Sequence, residues 1–157
     1  MKIRKFKRAD IDQIVTLFYE TVHTVCANDY SRAQLEAWAP DDETDSRIAT
    51  WQESLCQHYA YVAESERTIV GFGDMTVGGY LDRLYVHKDY QRQGIASALL
   101  KTLEGEARRL HLPEIRTDAS ITAKPFFERH GYQLVQSQSV VRRGVTLVNF
   151  KLVKTIT

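Results

Sequence analysis

The stretch that most constrains this chain runs from Tyr80 to Leu103, where the pattern of a strand passes through a polar connector into the pattern of a helix. Aromatic and β-branched residues fill Tyr80–Val86, as is typical of a strand. After the connector, apolar residues recur at helical spacing and predict an apolar face of at least three turns. These residues are Ile95, Leu99, Leu100, Leu103 and Ala107. The sequence therefore predicts a strand, a short polar loop and a helix in direct succession.

The loop between them carries the pattern of a phosphate site. Gly94 and Ala96 are small at the start of the helix, so a ligand can approach its first N–H groups. Those N–H groups lack internal partners, the helix dipole is positive there, and Arg92 adds a mobile positive charge. The Gly-Lys-Ser/Thr of a Walker loop and the three glycines of a dinucleotide fingerprint are both missing from this loop.

The rest of the chain predicts one α/β domain over residues 1–157, with the order β-α-α-α-β-β-β-α-β-α-β-β. The first helix begins at Asp10, and Ser31 caps the second. The other helices are expected near 46–57, 95–107 and 124–130, and the strands at 2–6, 59–64, 68–77, 80–86, 114–118, 132–141 and 145–153.

Composition narrows the class of protein. A net charge of +1 and a pI near 7.8 give no broad electrostatic case for nucleic acid. No apolar run approaches the ~20 residues of a membrane span, and the charged amino terminus has no apolar segment behind it. Cys26 and Cys56 have neither the density of a disulfide framework nor the spacing of a zinc site. We expect a cytoplasmic protein without a bound metal, nucleic acid or membrane.

Two motifs in the right order resemble one family. The first is Gln-x-x-Gly-x-Ala at Gln91–Ala96, after a strand that ends Leu84-Tyr85-Val86. The second, Ser120–Tyr132, is similar to Asn-x-x-Ala-x-x-Leu/Phe-Tyr-Glu-Lys-x-Gly-Phe, with Ser120 in place of Asn and Phe127 in place of Tyr. Together with the order of elements, these motifs resemble the GCN5-related N-acetyltransferases, the GNAT family, across nearly the whole chain.

The resemblance implies the GNAT fold, a mixed sheet of about seven strands flanked by helices. It also implies transfer of an acetyl group from acetyl-CoA to a primary amine of a small molecule or peptide, by direct attack on the thioester without a covalent enzyme intermediate. The pantetheine would lie in a gap beside the central strand, with the pyrophosphate on the helix N-terminus. The cofactor-binding residues it implies are Leu84, Tyr85, Val86, Gln91, Arg92, Gln93, Gly94, Ile95, Ala96, Ser120 and Phe127.

The base and the acid are left open by the sequence. Strand alternation predicts Tyr80 and Asp82 on the same face as Leu84, which makes Asp82 the nearest candidate base. Tyr80 aligns with a position that carries a catalytic Glu in some relatives, His23 lies on the first helix, and Asp74 is a weaker choice. The family's usual acid is a tyrosine, which Phe127 cannot replace, so Tyr132 and Tyr85 are the substitutes.

Acceptor recognition is expected from the first two helices and the loop between them. The residues that the family resemblance points to are His23, Asp29, Tyr30 and Trp38. The missing tyrosine also keeps a second function open, that of a catalytically weak acyl-CoA-binding regulatory protein. Members of the family are often dimers, so a homodimer is compatible with the resemblance, and the acceptor itself cannot be derived from the sequence.

Overall fold

The computed structural model describes residues 1–156 and contains one seven-stranded sheet in the order β1-β2-β3-β4-β5-β7-β6. All neighbouring strands are antiparallel except β4 and β5, which run parallel. The predicted fold class and order of elements are confirmed. The elements are β1 Lys2–Lys5, α1 Ile11–Thr24, α2 Arg32–Trp38, α3 Thr44–Gln57, β2 Tyr59–Ser65, β3 Thr68–Met75, β4 Tyr80–Val86, α4 Ile95–Arg109, β5 Glu114–Ser120, α5 Lys124–Arg129, β6 Gln133–Arg142 and β7 Val145–Thr155.

Two buried clusters cover the two faces of the sheet. Side chains alternate between faces along a strand, so Tyr61 of β2 packs with α4 while Val62 packs with α1. The α4 cluster includes Leu99 and Leu103, and the α1 cluster includes Phe18. Helices α1 to α3 therefore cover one face, and α4 with α5 covers the other. Among residues 1–156, no helix has the length and apolar character needed to cross a membrane.

Several element ends differ from the sequence prediction. Helix α1 ends at Thr24 and is followed by a separate 3-10 turn at Cys26–Asn28. Helix α3 begins at Thr44, two residues earlier than expected, because acidic Asp45 in its first turn suits the positive end of the helix dipole. The Ser31 cap is confirmed: its Oγ accepts from the Gln34 backbone N–H at 3.2 Å.

Helix α4 packs unusually close to strand β3. A Cβ added at Gly71 would lie 2.8 Å from Cγ2 of Ile95 and 3.1 Å from Cδ1 of Leu99. A glycine is therefore needed at this point for β3 to approach the first turns of α4. This contact fixes the N-terminus of α4 against the sheet, next to the end of β4.

We expect Gly71→Ala to lower the free energy of unfolding by about 1–3 kcal/mol, because the added methyl overpacks this contact. Gly105→Ala is the control. Gly105 lies in α4, the helix that Gly71 contacts, and a Cβ added at Gly105 has nothing within 4 Å. It should instead raise stability by up to about 1 kcal/mol through helix propensity. Urea unfolding followed by circular dichroism measures both, and equal effects would contradict the close contact.

Candidate active site

The sheet opens between β4 and β5. These strands pair only at Tyr80 with Arg116 and at Leu81 with Thr117, where the Thr117 hydroxyl also donates to the Leu81 carbonyl at 2.8 Å. Beyond this point β4 pairs with β3 alone, and β5 pairs with β7 alone. A gap therefore begins after Leu81 and widens toward the C-terminal ends of both strands.

The backbone of β4 presents polar groups to this gap. Hydrogen bonds alternate along an antiparallel pair, and His87 N–H donates to the Val70 carbonyl at 2.8 Å. Every second residue before His87 therefore directs its backbone groups at β3, which applies to Tyr85. The backbone groups of Leu84 and Val86 face the gap instead. The Val86 carbonyl is already occupied by the side chains of Thr21 and Gln91. The N–H and C=O of Leu84 and the N–H of Val86 are thus the groups directed at a ligand.

A β-bulge changes the expected alternation along β4. Asp74 pairs with Arg83 and Met75 pairs with Leu81, so Asp82 is an extra residue without an opposite partner. Leu84 packs in the α4 cluster, whereas the Asp82 carboxylate contacts the Arg83 guanidinium at 3.0 Å, and Arg83 in turn packs on Trp51 of α3. The prediction that Tyr80 and Asp82 share a face with Leu84 is therefore wrong, because the bulge shifts the alternation and puts Leu81, not Tyr80, in the α4 cluster with Leu84.

The loop before α4 has the backbone geometry that suits an anion. Arg92 and Gly94 have φ of 60° and 80°, in the left-handed region, and α4 begins at Ile95. A Cβ at Gly94 would have no atom within 4 Å, so the space in front of the helix is open. The first N–H groups of α4 lie next to this open space without helical partners. The Gln91 side chain serves the loop itself, because it donates to the Val86 carbonyl at 2.7 Å.

A cleft of about 600 Å³ opens at the gap and is lined from both faces of the sheet, for example by Phe18 of the α1 cluster and Phe127 of the α4 cluster. Eight of the residues proposed from the sequence line it: Tyr30, Trp38, Tyr80, Asp82, Leu84, Tyr85, Ser120 and Phe127. The Tyr30 hydroxyl donates to the Val148 carbonyl at 2.8 Å and accepts from the Ile121 N–H at 2.9 Å, so it ties β7 to the end of β5. The Ser120 hydroxyl accepts from the Ala123 N–H at 3.1 Å and orders the turn before α5.

Three of the residues proposed for catalysis or acceptor binding, His23, Asp29 and Tyr132, do not line this cleft. His23 Nε2 lies 2.8 Å from the Ala39 carbonyl, and Asp29 accepts a hydrogen bond from the Thr122 hydroxyl at 2.7 Å. The Tyr132 hydroxyl donates to Glu104 at 2.9 Å, on the α4 side of the sheet, and burial raises the pKa of Tyr132. Each of these side chains has a hydrogen-bond partner outside the cleft lining, and its proposed role stays a prediction.

Asp118 of β5 is a cleft residue that the sequence reasoning missed. Its carboxylate accepts from the Tyr80 hydroxyl at 2.9 Å and from the Gln138 side-chain amide at 2.7 Å. Burial and this hydrogen bond raise the pKa of Tyr80, so its hydroxyl keeps the proton that it donates to Asp118. Alternation along β5 could have revealed Asp118, because Thr117 and Ala119 on either side of it face the core.

Arg83 joins the cleft wall to a buried acidic group. Its guanidinium lies 3.3 Å from Asp74, which is fully buried, and 2.8 Å from the Ser54 hydroxyl. His58 Nδ1 lies 2.7 Å from the same Asp74 carboxylate, and burial raises the pKa of Asp74. His58, Asp74 and Asp82 have a spacing that could ligate a metal, but Arg83 already contacts both carboxylates and supplies the positive charge.

Two aromatic side chains, Phe127 and Tyr85, line the cleft next to the gap. Phe127 is 3% exposed, lines the cleft and packs edge-on against Tyr132 at a ring distance of 5.2 Å. Tyr85 stacks on Phe72 at 5.7 Å, and burial raises its pKa, so its hydroxyl stays protonated at neutral pH. Of the two tyrosines considered as acids, only Tyr85 lines the cleft.

Comparison with known proteins agrees with this geometry. A family model described as the acetyltransferase (GNAT) domain matches residues 26–154. The uncharacterised N-acetyltransferase YafP of Escherichia coli K12 is 39% identical over 151 residues, which is 96% of this chain and 93% of YafP.

Solved structures give the same result for the fold. A GCN5-related N-acetyltransferase of Rhodopseudomonas palustris superposes with a TM-score of 0.91 at 28% identity, covering 98% of this chain and 94% of that one. The PaiA N-acetyltransferase of Thermoplasma acidophilum, solved with coenzyme A, has a TM-score of 0.75 at 19% identity and covers 98% of both chains. Because the family model spans most of the chain and YafP matches nearly its whole length, this protein belongs to the GNAT acetyltransferase family.

Proposed function

We propose that this protein, as a single domain, transfers an acetyl group from acetyl-CoA to the primary amine of a small molecule or peptide. The observation that carries the proposal is the gap beside β4, with unpaired backbone groups at Leu84 and Val86 and an open helix N-terminus at the end of the same strand. One extended cofactor reaches both features when its pantetheine lies in the gap and its pyrophosphate lies on the helix. PaiA, which has this fold, was solved with coenzyme A.

The cofactor side of the site is built mainly from backbone. The N–H groups from Gln93 to Ala96 would bind the pyrophosphate, with Arg92 as an added cation. The Leu84 N–H faces the gap and is placed to polarise the thioester carbonyl and hold the oxyanion that develops. Phe127 and Ser120 would border the pantetheine from the β5 side.

The amine must lose a proton before or during the attack. For a lysine-like amine of pKa ~10.4, deprotonation at pH 7 costs about 4.6 kcal/mol, so a nearby base matters. We infer that Asp82 is this base, because its carboxylate lies in the cleft and Arg83 fixes its orientation. The amine then attacks the thioester carbon directly, and CoA leaves as a thiol or thiolate.

We also propose that the protein is located in the cytoplasm. Cys26 and Cys56 are both free thiols in the described structure, which suits the cytoplasmic location expected from the sequence. A homodimer stays compatible with the family resemblance.

A CoA-release assay tests the proposal against pools of amines, amino acids, polyamines, aminoglycosides and peptides. Release above the hydrolysis background with at least one pool supports the transferase. Binding of acetyl-CoA without release in any pool would favour the alternative, an acyl-CoA-binding regulatory protein.

Gly94→Asp should weaken acetyl-CoA binding by about tenfold or more, because it puts a negative charge where the pyrophosphate meets the backbone. The fold should survive, since an added Cβ has open space there. Gly144→Asp is the matched control, with a similar φ of 76° and equally open surroundings on the β6–β7 turn. Calorimetry measures both affinities, and equal losses in the two variants would rule out this phosphate site.

Asp82→Asn should reduce kcat/KM by about 10²–10⁴ at pH 7, because the amide keeps the shape but cannot accept the proton. The loss should shrink as the pH rises and more of the amine is already deprotonated. Rates across pH 6.5–10 test this expectation. A small loss of equal size at every pH would make Asp82 a structural residue, and a larger loss in Asp118→Asn would move the base to Asp118.

Phe127→Tyr should raise kcat, by up to about a hundredfold, if CoA now leaves as an unassisted thiolate, because the new hydroxyl supplies the missing acid. Two companion variants separate the explanations. Tyr132→Phe should lower stability with little effect on kcat, since its hydroxyl bonds Glu104 away from the cleft. If Phe127→Tyr is inert while Tyr85→Phe costs about a hundredfold, Tyr85 is the acid and the idea of unassisted departure is wrong.

A further inference from the structure

The charges of the cleft are not all compensated within the protein. Four arginines and three carboxylates line it. Arg83 is paired with Asp74 and Asp82, and Arg143 is paired with Asp42 and Glu43 at 2.7 and 3.0 Å. Within residues 1–156, no carboxylate lies within 4 Å of the guanidinium groups of the remaining two, Arg47 and Arg142.

Arg47 is held in place while its charge stays available. Its guanidinium lies 4.8 Å from the ring centre of Phe18 and 5.4 Å from that of Trp51. Its two polar contacts are long, at 3.3 Å to the Tyr19 hydroxyl and 3.5 Å to the Trp38 carbonyl. A guanidinium has five N–H donors in one plane, so stacking on aromatic faces leaves an edge for a carboxylate. Arg47 therefore has a fixed position and a positive charge that no carboxylate of the described residues pairs with.

The β5 and β7 strands offer hydrogen-bond acceptors to the same cleft. The Asp118 carboxylate receives only neutral donors, from Tyr80 and Gln138, and keeps unused lone pairs. Nearby, the side-chain oxygen of Asn149 is buried and has no hydrogen-bond partner in the described structure. Gln138 pairs with Asn149 across β6 and β7, so these acceptors form one patch beside the gap. A ligand that carries N–H donors would satisfy them.

From this charge arrangement we infer that the acceptor is an amine that also carries a carboxylate several bonds away. This inference rests on the proposed acetyl transfer and specifies its substrate class. The ammonium would bind at Asp118 and Asn149 and the carboxylate at Arg47 or Arg142, and all four residues line the same cleft as Asp82. Gln138 and Arg142 share a face of β6 four residues apart, or roughly 13 Å between Cα atoms, so a separated pair of charges fits better than an α-amino acid.

Three acceptors of equal chain length test the inference: 6-aminohexanoate, hexylamine and 1,6-diaminohexane. They present a carboxylate, no charge or a second ammonium at the far end. We expect kcat/KM for 6-aminohexanoate to exceed that for hexylamine by about tenfold to a hundredfold, as for a charge-assisted hydrogen bond, chiefly through a lower KM. The diamine should be the poorest of the three, because it brings a cation to Arg47 and Arg142.

Variants then assign the preference to particular side chains. Arg47→Met keeps an apolar contact with the aromatic rings, and Arg142→Gln keeps a polar side chain, but each removes an unpaired charge. Both should collapse the ratio between 6-aminohexanoate and hexylamine. Arg143→Gln is the matched control, since the charge of Arg143 is already paired, and it should keep the ratio.

Two kinds of result would contradict the inference. A preference for hexylamine or the diamine, or an unchanged ratio in Arg47→Met and Arg142→Gln, would show that the cleft does not select a carboxylate, while the acetyltransferase function would stand. Failure to acetylate any amine in spite of intact acetyl-CoA binding would instead remove the proposed function, and the inference with it.

Discussion

The pairing of β4 with β5 stops after two residue pairs, and the rest of the site depends on that early stop. Unpaired backbone groups inside a protein are costly unless they find a partner. The fold supplies one at each end of the opening, where Thr117 bonds the Leu81 carbonyl and Gln91 with Thr21 bonds the Val86 carbonyl. Between them, the backbone of Leu84 is left for a ligand that lies along the strand.

The wall of the cleft depends on a different constraint, the burial of the Asp74 carboxylate. Removing one member of a buried ion pair leaves an uncompensated charge, which costs far more than the pair contributes. Arg83 and His58 supply that compensation, and Arg83 also stacks on Trp51 at 4.6 Å. Helix α3 is thereby fastened to strands β3 and β4, and the cleft wall has a fixed shape.

The sequence predicted the features that depend on local pattern. Helical and strand periodicity gave the order of elements, and the glycine at 94 marked the open start of α4, since its φ of 80° suits a residue without a side chain. The bulge at Asp82 was not predicted, because it depends on how β4 pairs with β3 rather than on residue type. Asp118 and Arg47 were missed for a related reason: their neighbours in the cleft come from distant parts of the chain.

The proposed cofactor site consists mainly of backbone groups, whereas the proposed acceptor site consists of side chains. This difference explains what fold similarity can reveal. The proposed cofactor side uses the backbone of β4 and the start of α4, which tolerate many side chains as long as the strand gap and the helix end persist. A structure at 19% identity therefore still superposes over 98% of the chain. The cleft in which we propose that the acceptor binds is lined instead by side chains from α3, β4, β5 and β6, whose identities the backbone fold does not dictate. The shared fold thus follows from the backbone, whereas the proposed choice of amine has to be derived from the charges of this chain's own cleft.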